Sequence, residues 1–564
     1  MTDPHDELNL ASTTIGPLPL INHFIDRIGL AQLLERYVPS PPSLKLSQGQ
    51  AILLLVRNIL IERNPLYRLS EWAAVYEPSL IGLGAARPSV LNDDRVGRSL
   101  DALFLCDRAS LLTSVVLKSI QEFAIELSEL HNDSTTVTVS GQYQAPRSYK
   151  GKTAVLLTPG WNKDYRPDLK QLLFSLTVSR DGAVPIHYKC FDGNTTDDKT
   201  HIQVWENLRG ITGRSDFIYV ADSKLCTREQ MGYLAREGGK FICVLPQTRK
   251  ECAWFRSWVQ GHQVEWQEIL RRPDHRRPHS GAAHVYWGFP SPLPSEEGFR
   301  VLWILSSQKQ KQDAQRRQEK IHKTIDALAK LKLKVGKGRL KTKDQIHAAV
   351  EGVVATYGSG NWFDWKVTVQ ERSFYRQKGK GRPGKGTEYI RSVQQSWSFE
   401  AMPHDEKIQQ EATFDGMFPL ITNISEEELP MREVLLKYKY QPYIEKRHEQ
   451  FKSVLEAAPV FLKLPRRVEA LMFIYFMALL LNALIERELR RAMDKNAIHS
   501  LPLYPEERKC RFPTTARIVT LFSNHRRSSL FEAGKIVKTF FDPLTETQQT
   551  VLKLLGVATG PFGS

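Results

Sequence analysis

Apolar residues recur at helical spacing early in the chain. Ile21, Phe24, Ile25 and Ile28 mark one face of INHFIDRIGLAQLLERYV. SQGQAILLLVRNILIER follows, with Ser47 placed as its N-cap, and RVGRSLDALFL and LLTSVVLKSIQEFAIEL repeat the period. Pro39, Pro41, Pro42 and Pro88 punctuate these runs. The pattern predicts a helical module over residues 1–125. Near Leu130 the period drops to two. STTVTVSG is β-branched and alternating, and QLLFSLTVS and VPIHYKC flank the hairpin signal Asp181-Gly182. THIQVWENLRGI reads as a helix, SDFIYVADS as a buried strand, TREQMGYLAREG as a helix capped by Thr227, and KFICVLP as a fifth strand. Three strands, a helix, a strand, a helix and a strand over 126–246 predict an α/β sheet.

The pattern then breaks. Residues 247–431 hold the strand-like runs AAHVYWGF, RVLWILSS, WFDWKVTVQE and SVQQSWSFEAM around one charged helical stretch, which predicts a β-rich insertion. Within it RQKGKGRPGKG joins flexibility to positive charge: Lys378, Lys380, Arg382 and Lys385 suit a loop at a DNA backbone, or a solvated surface loop. Helical spacing resumes over 432–500, through YKYQPYIEKRHEQFK to ALMFIYFMALLL. The latter is 12 residues long, too short for a bilayer, and reads as a core helix. Residues 501–564 read as a basic tail region of mixed pattern.

Charge narrows the partners. With 78 Lys+Arg against 62 Asp+Glu, the net charge of +16 favours a polyanion such as nucleic acid. The six cysteines form no C-x-x-C pair, so neither a zinc knuckle nor a disulfide framework is expected. MTDPHDELNL lacks a secretory pattern, and a cytoplasmic protein without membrane attachment is expected. The chain has no GxxxxGK[ST], HExxH or GxSxG motif.

Three carboxylates carry the candidate chemistry. Asp133 opens DSTTVTVSG, Asp222 ends DFIYVADSK, and Glu445 lies in a helical run. Two strand-borne carboxylates and one on a later helix suit a pair of hard divalent cations, Mg²⁺ or Mn²⁺, held about 3.5–4 Å apart for phosphodiester chemistry. Each has a plainer reading too: Asp133 as a turn former, Asp222 as a helix cap, Glu445 as helix-surface charge. His131 and His448 read as local polar contacts.

With these residues placed, the chain resembles DDE transposases of bacterial insertion sequences, in the branch with an inserted β domain and a Y-x2-R-x3-E-x6-K signature. Here the signature reads Tyr438, Gln441, Glu445 and Lys452, with glutamine in place of arginine. DSTT at Asp133, VADSK at Asp222, DGMFPLITN and GWNKDYRPDLKQ strengthen the likeness. The resemblance implies an RNase H-like catalytic domain interrupted by the insertion, two metal ions on Asp133, Asp222 and Glu445, and cut-and-paste transposition. It implies DNA contacts from Tyr438, Gln441 and Lys452, and Phe418 stacked on a base flipped from the DNA end; the plainer readings are Tyr438 as a packing residue and Phe418 as a core strand residue. Double-stranded DNA, as inverted-repeat ends and target, and a second copy of the chain are the implied partners. Gln441 supplies no guanidinium, so a charged phosphate clamp is missing there. Arg447 is a substitute that faces elsewhere on an ideal helix. Two rivals stand beside this reading: an idle transposase-derived DNA-binding protein, and an RNase H-like nuclease without strand transfer.

Overall fold

The computed structural model describes residues 8–143, 147–161, 166–273, 283–338, 340–457, 460–532 and 534–563. Asn162–Tyr165 of the GWNKDYRPDLKQ stretch lie outside the described residues. The chain forms two compact units: Met1–Val244 with Thr422–Ser564, and Leu245–Ile421.

The first unit begins with a strand, Asn9–Thr14, and then helices that include Leu18–Arg27, Leu30–Tyr37, Gln48–Ile61, Asp93–Leu105 and Arg108–Phe123. Ser47 closes a capping box with Gln50 at the start of the third. That helix is buried on every side, which its near-continuous apolar run requires.

The central sheet follows. β1 (Glu129–Val139) pairs antiparallel with β2 (Lys170–Ser179), and β2 with β3 (Pro185–Phe191). Their hairpin turns at Gly182, where φ is 78° and a Cβ would meet the Arg487 side chain at 2.9 Å. After helix α1 (His201–Thr212), β4 (Ile218–Val220) runs parallel to β1. After α2 (Arg228–Arg236), whose first turn Thr227 caps, β5 (Lys240–Val244) runs parallel to β4. The spatial order β3-β2-β1-β4-β5 is that of an RNase H-like sheet.

In the second unit β6 (Gln267–Pro273), β7 (Ala283–Pro290) and β8 (Arg300–Ser306) form an antiparallel meander. Two helices follow, α3 (Ser307–Lys332) and α4 (Lys343–Tyr357), then an antiparallel ribbon of β9 (Phe363–Gln377) and β10 (Tyr389–Pro403). β11 (Met417–Thr422) returns beside β8. The insertion is therefore mixed rather than simply β-rich. Its core is Ile321, Leu328, Ile346, Val350 and Val354 from α3 and α4, against Phe363 and Phe399 at the ribbon's base.

The chain re-enters the first unit at Thr422. Thr422 Oγ1 donates to the Phe241 carbonyl at 2.6 Å, and the Asn423 amide bridges Phe241 N and Gly239 O at 2.9 and 2.7 Å. The T-N pair thus fastens the returning chain along β5. Next come α5 (Met431–Tyr438), α6 (Gln441–Glu449), a π-helical turn Gln450–Val454, and α7 (Pro465–Lys495). α7 has 31 residues against the 12 of the apolar run. It is long and apolar enough to cross a bilayer, yet 94% of its most apolar window is buried inside the protein, as befits a core helix. Helices Gln48–Ile61 and Asp93–Leu105 pack on it. The N-terminal helices therefore share a compact unit with the sheet and do not form a separate body.

Residues 501–564 are not a tail. Helices Thr515–Phe522 and Glu546–Leu555 pack on α7, and strands Arg526–Glu532 and Lys535–Phe541 form a hairpin whose first strand pairs with Asn9–Thr14. Its alternation was hard to see because both faces of Lys535–Phe541 are largely exposed, so little apolar contrast marks the period. None of the six cysteines, all among the described residues, is joined in a disulfide.

Candidate active site

The register of β1 on β4 pairs His131 with Val220. Asp133 and Asp222 each lie two residues beyond that pair, so adjacent strands deliver both carboxylates to one end of the sheet. Asp133 is half-buried and its Oδ1 accepts from Ser134 N at 2.8 Å. Asp222, also half-buried, accepts from Lys224 N at 2.9 Å and caps the short turn Ser223–Leu225. The plainer capping role is thus real, and it also fixes the carboxylate's direction.

Helix α6 brings the third carboxylate. Burial, then the negative charges of Asp222 and Glu445, push the Tyr438 phenol up to about 12, so both carboxylates lie within electrostatic reach of that phenol. His448, one turn beyond Glu445, places Nε2 3.7 Å from Asp133 Oδ2. Glu445 itself is exposed. Asp133, Asp222, Glu445, Tyr438 and His448 therefore share one neighbourhood. Among the described residues no three or more His, Cys, Asp or Glu side chains are drawn together as a finished metal site.

A buried polar network fixes α6 against β1. Gln441 is 8% exposed, and its Oε1 lies 3.1 Å from Nδ1 of the fully buried His131. His131 Nε2 is 2.8 Å from Glu129 Oε1, while Glu129 Oε2 accepts from Lys437 at 2.7 Å and Arg180 at 3.0 Å. His131 also packs on Tyr440, 4.9 Å between ring centres. The glutamine at the signature's arginine position thus faces inward and ties helix to strand. The network escaped the sequence reading because its members are 2 to 310 residues apart. The one local signal was the pair Glu129 and His131 on alternate positions of a strand otherwise buried.

Glu129 gives a testable acid sensitivity. Burial alone would raise its pKa, but hydrogen bonds and charge from His131 and Lys437 outweigh it and hold the carboxyl at about 2. A depressed carboxylate stabilises the fold above its unfolded pKa, near 4.3, and that stability is lost as pH falls toward 2. The shift corresponds to about 3 kcal/mol. Glu129→Gln should flatten the fall in unfolding free energy between about pH 5 and pH 2. Denaturant titrations along that range check it, and parallel curves for both proteins would show that Glu129 is not the acid-sensitive group.

The remaining predicted residues are distributed as follows. The single helix expected through YKYQPYIEKRHEQFK is divided at Lys439–Tyr440, because Pro442 has no amide proton and sits in the first turn of α6. Lys452 falls in the π-helical turn and is half-buried. There each residue turns the chain less than in an α-helix, so Lys452 is rotated from the position a straight helix gives it beyond Glu445. Phe451 anchors that turn: it is fully buried, stacked on Phe174 at 4.6 Å and edge-on to Tyr475. Arg447 faces away from the carboxylates, binding Glu486 at 2.7 Å and the carbonyls of Gly182 and Ala183 at 2.9 Å. Phe418 is half-buried in β11 of the second unit. Lys378, Lys380, Arg382 and Lys385 are exposed at the tip of the β9–β10 ribbon, where Lys378 pairs with Glu388 at 2.7 Å.

Residues 128–481 match the transposase DDE domain family, and residues 10–117 match a domain of unknown function, DUF4277. The first match spans more than half the chain and contains all three carboxylates. The chain belongs to the DDE transposase family. Among solved structures it is similar to the piggyBac transposase synaptic complex with hairpin DNA, at 10% identity and TM-score 0.28, covering 62% of this chain and 69% of that one. It is also similar to the Mos1 transposase paired-end complex, at 10% identity and TM-score 0.14, covering 36% and 60%. No curated protein matches.

For a DDE transposase the donor set is chemically apt. Asp133, Asp222 and Glu445 offer only oxygen, the ligand that hard divalent cations prefer. Three carboxylates repel one another unless a cation lies between them, so the loosely gathered arrangement suits a site completed by metal.

Proposed function

We propose that this transposase performs cut-and-paste movement of an insertion sequence by metal-dependent cleavage and strand transfer at Asp133, Asp222 and Glu445. The observation that carries the reading is the delivery of two carboxylates by adjacent strands beneath a helix bearing the third. Two divalent cations, Mg²⁺ or Mn²⁺, would supply Lewis-acid activation and charge neutralisation when bound there. The three carboxylates hold and orient them. Tyr438 walls the site between Asp222 and Glu445. The Gln441–His131–Glu129 network sets the height of α6 over β1. Water opens a strand at the element end, leaving a 3′-hydroxyl that attacks the opposite strand or target DNA, so the nucleophile is not a side chain.

Lys452 contacts a phosphate near the break, and Phe418 stacks on a base drawn out of the helix. The ribbon tip grips DNA backbone through Lys378, Lys380, Arg382 and Lys385. Two copies of the chain bring the two ends together, working in a bacterial cytoplasm on nucleoid DNA.

The direct test uses DNA carrying the sequence that flanks the coding frame, incubated with Mg²⁺. Nicked ends and joined products are expected. Nicks without joined products would mark a nuclease, and binding without nicks would mark an idle descendant.

Salt gives a second check. Each phosphate neutralised on duplex DNA adds about 0.9 to the negative slope of log affinity against log salt. Replacing the four tip cations with alanine should flatten that slope by about 3.6. An unchanged slope would take the tip off the DNA.

A further inference from the structure

We propose that the distal half of the β9–β10 ribbon is a groove-reading arm, and that its Arg372–Arg376–Gln394 face lies in the major groove of duplex DNA. The inference rests on the reading of the chain as an enzyme of duplex DNA, and deepens it by naming the arm and the face.

The ribbon is continuously paired from Phe363↔Pro403 to Gln377↔Tyr389. Only its base is supported: Phe363, Trp365, Val367, Trp397, Phe399 and Ala401 pack into the α3–α4 core. From Thr368 to Arg376, and from Tyr389 to Ser396, every residue is exposed. At about 3.3 Å per residue this leaves roughly 30 Å of two-stranded ribbon standing clear of its own unit. A lone two-stranded ribbon is marginal in water, so one this long is built to lie against something.

Its two faces differ, because partners in register share a face. One face begins in the core and continues outward as Val369, Ser373, Tyr375, Tyr389, Arg391 and Val393. The other carries Lys366, Thr368, Gln370, Arg372, Phe374 and Arg376, opposite Glu400, Ser398, Ser396, Gln394, Ser392 and Ile390 in that order. That second face is dense in hydroxyls, amides and guanidinium groups, the side chains that donate to phosphates and to base edges. Thr368 and Ser398 already bond each other across it at 2.9 Å. Charge points to the same partner. From Arg372 to Arg391 there are seven Lys or Arg and one acidic residue, Glu388. A polyanion matches that balance and a second basic copy of the chain does not. A two-stranded ribbon is also of the width that the major groove, about 12 Å across, admits.

The test is binding of the full chain, without divalent metal, to a fluorescently labelled mixed-sequence duplex. Arg372→Ala/Arg376→Ala/Gln394→Ala should weaken binding about tenfold or more and flatten the salt slope by about 2, two cations at about 0.9 each. Methylation of guanine N7, in the major groove, should interfere with binding by the parent and not by the triple variant. Val369→Ser/Tyr375→Ser/Val393→Ser, on the opposite face, should leave DNA affinity unchanged. A triple variant with parent affinity and slope overturns the proposal. So does loss of self-association from the Val369–Tyr375–Val393 variant with DNA binding intact in the other, which would make the ribbon a protein-docking arm. If the triple variant fails to fold, the ribbon can be closed at the register pair Val369↔Trp397 with an Asn-Gly turn, which keeps the base core. That shortened chain must show the same loss of affinity, and parent affinity from it overturns the proposal. Because no metal is present, failure here leaves the carboxylate mechanism untouched. Failure of carboxylate-dependent cleavage would in turn leave this binding result standing.

Discussion

Alanine at Asp133, Asp222 or Glu445 should each slow strand cleavage by about a hundred- to a thousandfold, the scale seen when a preorganised electrostatic group is removed. Binding to duplex DNA should stay close to that of the parent. The asymmetry follows from the division of labour in the site. On the proposed function the carboxylates act at the chemical step, while phosphate contacts made elsewhere hold the DNA. The three substitutions should also be similar in severity, since on the proposed function two neighbouring strands and one helix contribute to a single centre. A gel shift beside a Mg²⁺ cleavage assay measures both quantities. Asp222→Asn is an informative companion, because it preserves the size of the group that caps Ser223–Leu225. Asp222→Asn should cleave as poorly as Asp222→Ala while melting nearer the parent. Cleavage near the parent rate by any alanine variant would remove that residue from the centre.

The largest effect on stability is expected from Arg447→Ala. Arg447 and Glu486 are both almost wholly buried, paired at 2.7 Å, and Arg447 also donates to the carbonyls at the β2–β3 turn. Removing Arg447 leaves the buried Glu486 carboxylate with only Arg490 at 3.6 Å and hydrogen bonds from Gln450 and Thr515, a cost of up to about 3–5 kcal/mol. The melting temperature should fall by several degrees. Arg447→Met/Glu486→Leu should recover much of the loss, because replacing both charges removes the stranded one. An Arg447→Ala protein that melts with the parent would mean that water reaches the pair.

The contrast between Gln441 and Arg447 explains how far the sequence could be read. The strand and helix periods around Asp133, Asp222 and Glu445 were legible in the sequence, and the resemblance to DDE transposases is what singled those carboxylates out. The order of strands and helices through 126–246 was likewise legible, because both faces of that sheet are covered and apolar runs stand out. Orientation was not legible. Whether Gln441 points outward or into the His131–Glu129 network depends on partners brought from 310 residues away. The division before Pro442 had a local signal in the proline itself, whereas the widened turn at Gln450–Val454 goes with the packing of Phe451 on Phe174, which no local pattern announces. The exposed hairpin near the C-terminus was missed for the opposite reason: it buries too little to leave a period.

The insertion leaves the first unit after Val244 and returns at Thr422, whose hydroxyl is bonded to Phe241, three residues before the exit. Departure and return are neighbours on β5. For the sheet, everything between is one closed loop, and closure entropy grows only logarithmically with loop length, about 0.6 kcal/mol per doubling. Anything that folds by itself with its ends together fits the same doorway at little cost to the sheet. Enlargement, trimming or exchange of this module is therefore nearly neutral for the fold that carries Asp133 and Asp222. A lineage can refit its grip on DNA without disturbing the chemistry, and variation in size among kin should concentrate between Val244 and Thr422.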